Sequence, residues 1–235
     1  MLRIATIGTS MITDDFIQVV NANDQTTFVG TLSRDADRGA AFTAEHSGER
    51  NFTALDELAS ADDVDAVYIG SPNALHYEQA LACIAGGKHV IVEKPFCATE
   101  AQALEVFRAA EAAGVVALEA MRPLHDPAFH VVEDALGEIA PIRRASLRFG
   151  KYSSRYNEIL AGRATNIFDC HMASGSLMDI GVYTVEPMVE IFGMPSGLTS
   201  MATLLDPTTR QLTHGPIDGC GSIPPPAMAV AYLRS

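Results

Sequence analysis

Short apolar runs alternate with amphipathic segments along the first half of the chain. The runs are Leu2 to Ile7, Thr26 to Leu32, Val64 to Ile69, Val90 to Val92 and Val115 to Leu118. Each is short and rich in β-branched residues, which predicts strands buried on both faces. Between them apolar residues recur at helical spacing, and glycine or proline ends most segments. The alternation predicts an α/β fold with a doubly wound parallel sheet over residues 1–122.

The pattern changes after residue 122. A helix is predicted from Asp126 to Leu136, and another from Gly175 to Phe192 with a kink at Pro187. Strand-like segments follow at Ile142 to Phe149, Thr199 to Leu204 and Ala227 to Leu233. Residues 123–235 are therefore predicted to form a second, α+β domain with a mainly antiparallel sheet. A sheet that ended at Ala227 to Leu233 would leave backbone groups unpaired along an apolar strand, which favours pairing at that edge.

Composition narrows the classes of partner. The 235 residues are 48% hydrophobic and 19% charged, as in ordinary globular proteins. A net charge of -13 argues against nucleic acid or an anionic membrane as the main partner. No apolar run is long enough to span a bilayer, and the N-terminus lacks the pattern of a signal peptide. The four cysteines, Cys83, Cys97, Cys170 and Cys220, show no Cys-x-x-Cys spacing, so we expect reduced thiols in a cytoplasmic protein.

Charge follows the buried run Val90 to Val92, as Glu93 and Lys94, and Pro95 comes next. Open α/β sheets bind ligands just beyond the carboxyl ends of their strands, so Lys94 is expected to face that crevice. The proline keeps the backbone of Lys94 out of helical geometry. A surface lysine that simply follows a core strand is the alternative.

A glycine turn follows the first strand. Of the dinucleotide fingerprint G-x-G-x-x-G only Gly8 is present, with Ser10 and Thr13 at the later glycine positions, so a plain βα turn is the alternative. The turn can still serve a dinucleotide, because Gly8 permits a tight turn. Thr9 and Ser10 also offer hydroxyls where the amides of the next helix, which includes Ile12, would meet a pyrophosphate.

The end of the second strand bears on the choice of cofactor. An acid there binds the ribose hydroxyl of NAD, and a basic group accommodates the 2′-phosphate of NADP. Ser33 and Arg34 come first, which favours NADP, whereas Asp35 keeps NAD open. The alternatives are that Arg34 stacks on the adenine or that it is a solvated residue at the start of a helix.

Further polar residues follow other strands. After Val64 to Ile69 come Ser71, Pro72, Asn73 and, in the first turn of the next helix, His76. Asn73 is predicted to be the N-cap of that helix. His76 either contacts cofactor or substrate or is a partly buried histidine near the cap. Arg122, just past the fifth strand, is either a crevice residue or a solvated loop arginine.

Four segments together resemble the Gfo/Idh/MocA family of nicotinamide-dependent oxidoreductases. They are Gly8-Thr9-Ser10-x-Ile12, Ser71-Pro72-Asn73-x-x-His76, Glu93-Lys94-Pro95 and Gly175-x-Leu177-x-Asp179-x-Gly181-x-Tyr183. The resemblance implies a Rossmann domain that binds NADP or NAD, followed by a larger antiparallel sheet that the segments here form only in part and that pairs through its open face with another subunit. It also implies hydride transfer between that cofactor and a carbinol or carbonyl of a small molecule, namely a sugar, polyol or cyclic diol.

The resemblance also implies roles for residues. Lys94 would hydrogen-bond the reacting oxygen, Tyr183 would be the acid/base, and Asp179 would orient Lys94 or the substrate. Tyr183 stands where many members have histidine, whereas some members, including the dihydrodiol and xylose dehydrogenases, carry tyrosine there. Asp179 and Tyr183, four residues apart, would share one face of an α-helix, and composition alone makes this an ordinary helix face. The expected cofactor contacts are Gly8, Thr9, Ser10, Ile12, Ser33, Arg34, Ser71, Pro72, Asn73, His76, Glu93, Lys94 and Arg122.

Two other classes of function stay open at this point. A protein could bind a dinucleotide without turnover, as a redox sensor or a remnant, and the incomplete fingerprint favours this class. A Rossmann-fold methyltransferase is a weaker alternative, since it gives no reason for Lys94. The pairs His125/His130 and Cys170/His171 do not make a ligand set, so no metal is expected.

Overall fold

Strands and helices alternate through the first 120 residues of the computed structural model, which describes residues 1–150, 157–158, 161, 163, 170–175 and 177–199. The chain divides into two units, Met1–Ala120 and Met121–Ser235. The strands of the first unit are β1 (Leu2–Ile7), β2 (Thr26–Leu32), β3 (Arg50–Phe52), β4 (Ala66–Ile69), β5 (His89–Glu93) and β6 (Ala117–Ala120). Its helices are α1 (Met11–Ala22), α2 (Ala36–Glu45), α3 (Leu55–Ala59), α4 (His76–Ala85) and α5 (Glu100–Ala113), with a 3₁₀ turn at Asn73–Leu75.

The six strands form one parallel sheet in the order β3-β2-β1-β4-β5-β6. The predicted doubly wound sheet is thereby confirmed. The chain builds outwards in one direction from β1 to β3 and then in the other from β4 to β6. Ligands of such sheets bind where this direction reverses, beyond the carboxyl ends of β1 and β4.

Burial explains why the strands read as continuous apolar runs. All four residues of β4 are buried, and the same holds for Val90 and Val92 of β5. The larger core cluster draws Ile7, Phe52, Leu58, Ile84 and Val106 from strands and helices of this unit, and a second joins Ile4, Ile17, Val20, Phe28 and Ala66. β3 is absent from the predicted strands because it has only three residues, of which Phe52 alone is apolar.

The predicted N-cap at Asn73 is wrong. Asn73 begins the 3₁₀ turn, in which the N–H of Leu75 donates to the carbonyl of Pro72 at 2.9 Å. α4 starts only at His76, with Leu75 at its cap position and no side-chain capping bond. Pro72 fixes the entry to this tight turn, so Asn73 lies inside the helical region rather than before it.

In the second unit the structure has a 3₁₀ turn at Arg122–His125, α6 (Pro127–Glu138), a 3₁₀ turn at Cys170–Met172, a π-helical turn at Leu177–Gly181 and α7 (Val182–Phe192). Asp126 caps α6 by accepting from the N–H of Ala128 at 2.8 Å. No helix among the described residues combines the length and the apolar character that a membrane crossing requires.

The strand predicted at Ile142 to Phe149 is wrong, because residues 142–149 belong to no strand and are mostly exposed. A strand exists only when a second one pairs with it. The other predicted strands of this unit, Thr199 to Leu204 and Ala227 to Leu233, lie outside the described residues apart from Thr199. The antiparallel sheet and its pairing with a second copy stay predictions.

Candidate functional site

The turn after β1 is shaped by two glycines that face each other. Gly8 has a φ of +104°, which side chains rarely adopt, and a Cβ on it would lie 2.8 Å from the carbonyl oxygen of Gly70. The N–H of Gly8 donates to Leu32 O at 3.0 Å, and the N–H of Gly70 donates to Ile7 O at 2.9 Å. The carboxyl ends of β1, β2 and β4 therefore meet in one tight arrangement at the switch point.

Ser10 begins α1. Its Oγ accepts from the N–H of Thr13 at 3.4 Å and lies 3.0 Å from the hydroxyl of that residue. Thr13 is fully buried, and a Cβ on Gly70 would lie 2.6 Å from its Oγ1. Thr9 is half-buried and Ile12 is exposed at the start of the helix. The first amides of a 12-residue helix thus stand at the carboxyl edge of the sheet, a geometry that suits a pyrophosphate.

The residues after β2 separate into capping groups and an exposed cation. Ser33 Oγ accepts from the N–H of Asp35 at 3.2 Å, and Asp35 caps α2 by accepting from the N–H of Arg38 at 3.0 Å. Arg34 is exposed. The Arg38 guanidinium donates to Thr9 O at 3.0 Å and so reaches the first turn. The sequence reading missed Arg38, which stands four residues after Arg34.

Ser71, Pro72 and Asn73, after β4, are half-buried. Ser71 Oγ donates to Gln79 Oε1 at 2.6 Å. His76 is fully buried, and its ring nitrogens lie 2.9 Å from Ser71 O and 3.0 Å from Pro95 O. Burial lowers the pKa of His76, although the two carbonyls and Glu93 oppose that effect.

Side chains from the neighbouring strands hold the residues Glu93–Phe96, here termed the Lys94 turn. Glu93 Oε1 accepts from the hydroxyl of Tyr68 at 2.5 Å, and Oε2 accepts from the N–H of Lys94 at 3.2 Å. The N–H of Phe96 donates to Glu119 Oε1 at 2.8 Å. The Lys94–Pro95 peptide bond is cis. Lys94 thus lies just past β5, one strand away from the switch point.

Glu119 brings a second acidic group close to Lys94. Burial raises the pKa of Glu119, and the charge of Glu93 raises it further, whereas the Phe96 N–H and the charge of Lys94 lower it. The sequence reading missed Glu119 as well as Tyr68. The rule that selected Lys94, a charge at the end of a strand, would have found Glu119, which pairs in register with Val92.

The second unit holds Arg122, Asp179 and Tyr183. Arg122 is exposed in its 3₁₀ turn. The predicted continuous α-helix is wrong at this point, because Asp179 lies in the π-helical turn and Tyr183 in α7. A π-turn breaks the α-helical relation between residues four apart and is frequent at functional sites. The Tyr183 ring stacks on Phe149, with centroids 4.9 Å apart and planes inclined by 18°.

The structure gathers Gly8, Ser10, Ser33, Ser71 and the Lys94 turn at the carboxyl edge of the sheet in the first unit. The joint action of Lys94 with Asp179 and Tyr183 stays a prediction. Within the described part of the chain, no group of three or more His, Cys, Asp or Glu residues could hold a metal ion.

Residues 2–120 match the model of a family described as an oxidoreductase family with an NAD-binding Rossmann fold. The chain is 42% identical over 195 residues to the scyllo-inositol 2-dehydrogenase (NADP(+)) IolU of Bacillus subtilis, covering 83% of this chain and 60% of that protein. It is 30% identical over 196 residues to trans-1,2-dihydrobenzene-1,2-diol dehydrogenase of Mus musculus, covering 82% of this chain and 56% of that protein.

A solved structure shows the same likeness. The 3-ketoreductase KijD10 of Actinomadura kijaniata, in complex with NADP and TDP-benzene, superposes with a TM-score of 0.71 at 28% identity, covering 85% of this chain and 59% of that one. The chain spans about 60% of the length of the curated relatives it matches. With residues 2–120 matched by the family model, the chain belongs to the Gfo/Idh/MocA family of oxidoreductases.

Proposed function

We propose that this chain binds NADP(H) and transfers a hydride between it and a carbinol or carbonyl carbon of a polyol, sugar or cyclic diol. The observation that carries the proposal is the Lys94 turn, which presents a lysine beyond β5 and is held by Tyr68 and Glu119. A dinucleotide-binding protein without turnover gives no reason for such a lysine. The relatives support the substrate class, since their names specify an inositol and a dihydrobenzenediol.

The residues after β2 favour NADP over NAD. Asp35, the acid that could bind a ribose hydroxyl, already accepts from the N–H of Arg38 as the cap of α2. The exposed Arg34 guanidinium is a suitable partner for a 2′-phosphate. The name of the Bacillus subtilis relative specifies NADP(+), and the KijD10 structure contains NADP, which supports the same choice.

Each protein group has one task in this proposal. The nicotinamide, when bound, accepts or donates the hydride. Lys94 donates a hydrogen bond to the reacting oxygen and stabilises negative charge on it. Tyr183 takes the hydroxyl proton as the carbinol is oxidised and returns it in the reverse direction. Asp179 orients the substrate hydroxyls.

Titration with NADPH and NADH, followed by steady-state assays on scyllo-inositol and trans-dihydrobenzenediol, tests the proposal. We expect tighter binding of NADPH and turnover of at least one member of a polyol and diol panel. Dinucleotide binding without turnover of any of them would favour the non-catalytic alternative. No dinucleotide binding would contradict both.

A further inference from the structure

His76 joins the ends of two neighbouring strands. It is the first residue of α4, and its imidazole is completely buried. Nδ1 lies 3.0 Å from Pro95 O, within the Lys94 turn, and Nε2 lies 2.9 Å from Ser71 O, in the segment after β4. Both ring nitrogens therefore lie within hydrogen-bonding distance of backbone carbonyls.

A neutral imidazole has one N–H and can donate to only one of these two carbonyls. Burial lowers the pKa of His76 and so favours the neutral ring. Pro95 is buried and its contact with Nδ1 is buried too, whereas Ser71 is only half-buried and its contact with Nε2 is partly buried. A buried carbonyl without a donor is costly, so the proton belongs on Nδ1, where it serves Pro95.

We propose that His76 is a positioning residue for Lys94, which it holds through a hydrogen bond from Nδ1 to the carbonyl of Pro95. This inference rests on the proposed function of Lys94. The bond from the Phe96 N–H to Glu119 is a second hold on the Lys94 turn, from the opposite side. The backbone on the carboxyl side of Lys94 is thereby fixed by α4 and β6, and this fixes where the ammonium group stands.

Two substitutions of His76 by an amide side chain test its contacts with Pro95 and Ser71 one at a time. His76→Asn places an amide near the position of Nδ1 and can still donate to Pro95, whereas His76→Gln places one near Nε2 and can reach only Ser71. We expect His76→Gln to lower kcat by about 10-fold to 10²-fold through misplacement of Lys94. His76→Asn should keep most of the parental kcat, and neither variant should weaken NADPH binding by more than about twofold.

His89→Gln is the control for the loss of a histidine. His89 is the first residue of β5, away from the Lys94 turn, and its Nδ1 accepts from the N–H of Val116. We expect this variant to lower Tm without a change in kcat. Equal losses of kcat in His76→Asn and His76→Gln, or a loss confined to NADPH affinity, would overturn the inference.

The tautomer of His76 gives a readout that does not depend on turnover. Nitrogen-15 spectra of the histidine side chains at neutral pH should show a neutral ring with the proton on Nδ1. A proton on Nε2 would overturn the inference whatever the activity. If the parent protein turned over no substrate, the proposed function would be wrong. The tautomer would then be the remaining test of the hydrogen bond from His76 Nδ1 to Pro95 O.

Discussion

Lys94 is the side chain whose loss we expect to reduce turnover most. In Lys94→Ala the reacting oxygen would lose a charged donor, which commonly costs about 10²-fold or more in kcat. NADPH affinity should change little, because the role proposed for the lysine is at the substrate. Steady-state kinetics and a cofactor titration measure the two effects separately.

Lys94→Arg is the companion variant. It keeps the positive charge and changes the geometry, so a partial recovery of kcat would support electrostatic stabilisation. A near-parental rate in Lys94→Ala would show that Lys94 does not contact the reacting oxygen.

Arg34 is expected to set the preference between the two cofactors. Arg34→Ala should weaken NADPH binding by roughly 1.5–3 kcal/mol, the value of a charge-assisted hydrogen bond, and leave NADH binding nearly unchanged. Isothermal titration with both cofactors measures the difference. Arg108→Ala, which removes an exposed arginine of α5, is the matched control. Equal weakening of both cofactors by Arg34→Ala would instead indicate stacking on the adenine, and no weakening would place Arg34 in solvent.

At the level of strands, an ion pair ties β1 to β4. Asp65, just before β4, accepts from the N–H of Arg3 at 2.8 Å and from its Nε and Nη2 at 2.9 and 2.6 Å. The hydrogen bonds from Arg3 lower the pKa of Asp65 from 3.8 to about 2. The ionised form is therefore favoured in the folded protein. Its contribution to stability is complete above pH 3.8 and is lost as the pH falls to about 2.

Asp65→Asn should remove this part of the acid sensitivity. We expect the urea midpoint of the parent to fall more steeply than that of the variant between about pH 4 and pH 2. Asp62→Asn, an exposed neighbour, should keep the parental slope. Parallel slopes in the parent and in Asp65→Asn would show that this ion pair does not contribute to the acid response.

The helices and strands of the first unit could be predicted wherever the pattern of apolar and polar positions extended over enough residues. Apolar runs gave five of the strands, and the glycine turn at Gly8 marked the place where α1 follows β1. β3 escaped because three residues carry no periodicity, and its existence depends on pairing with β2. The π-turn at Leu177–Gly181 escaped because hydrophobic spacing does not distinguish it from an α-helix.

The candidate site was predictable to a similar extent. Lys94 and Gly8 follow from strand ends and turn chemistry, which are local features. The burial of His76 and the contacts of Tyr68 and Glu119 depend on which strands become neighbours in the sheet. That information is not present in the spacing of residues along a single segment.

The first unit should fold without the rest of the chain. Both core clusters consist of residues between Ile4 and Ala110, and the sheet is complete within Met1–Ala120. We expect a fragment of residues 1–120 to unfold cooperatively in urea and to bind NADPH with an affinity within about 10-fold of the full chain. Circular dichroism and calorimetry measure both properties.

A matched fragment with Gly8→Ala should lose NADPH binding. The backbone at this position has a positive φ that alanine rarely adopts, and the added Cβ would collide with Gly70 O. A parental fragment without a cooperative transition would mean that residues after Ala120 contribute to the core of the first unit.

Thr13 of α1 packs directly against Gly70 at the end of β4. The size of the side chain at one of these positions therefore limits the size that fits at the other. The third glycine of the usual fingerprint permits close packing of helix against strand. Here a threonine stands at that position, and the glycine that makes room for it lies on another strand. Among relatives we expect the two positions to co-vary in evolution, with glycine retained at the second wherever the first carries a side chain. A search for the glycine fingerprint in the first turn alone would wrongly reject this chain as a dinucleotide-binding protein. The glycine that makes room for Thr13 is Gly70, about sixty positions away in the sequence.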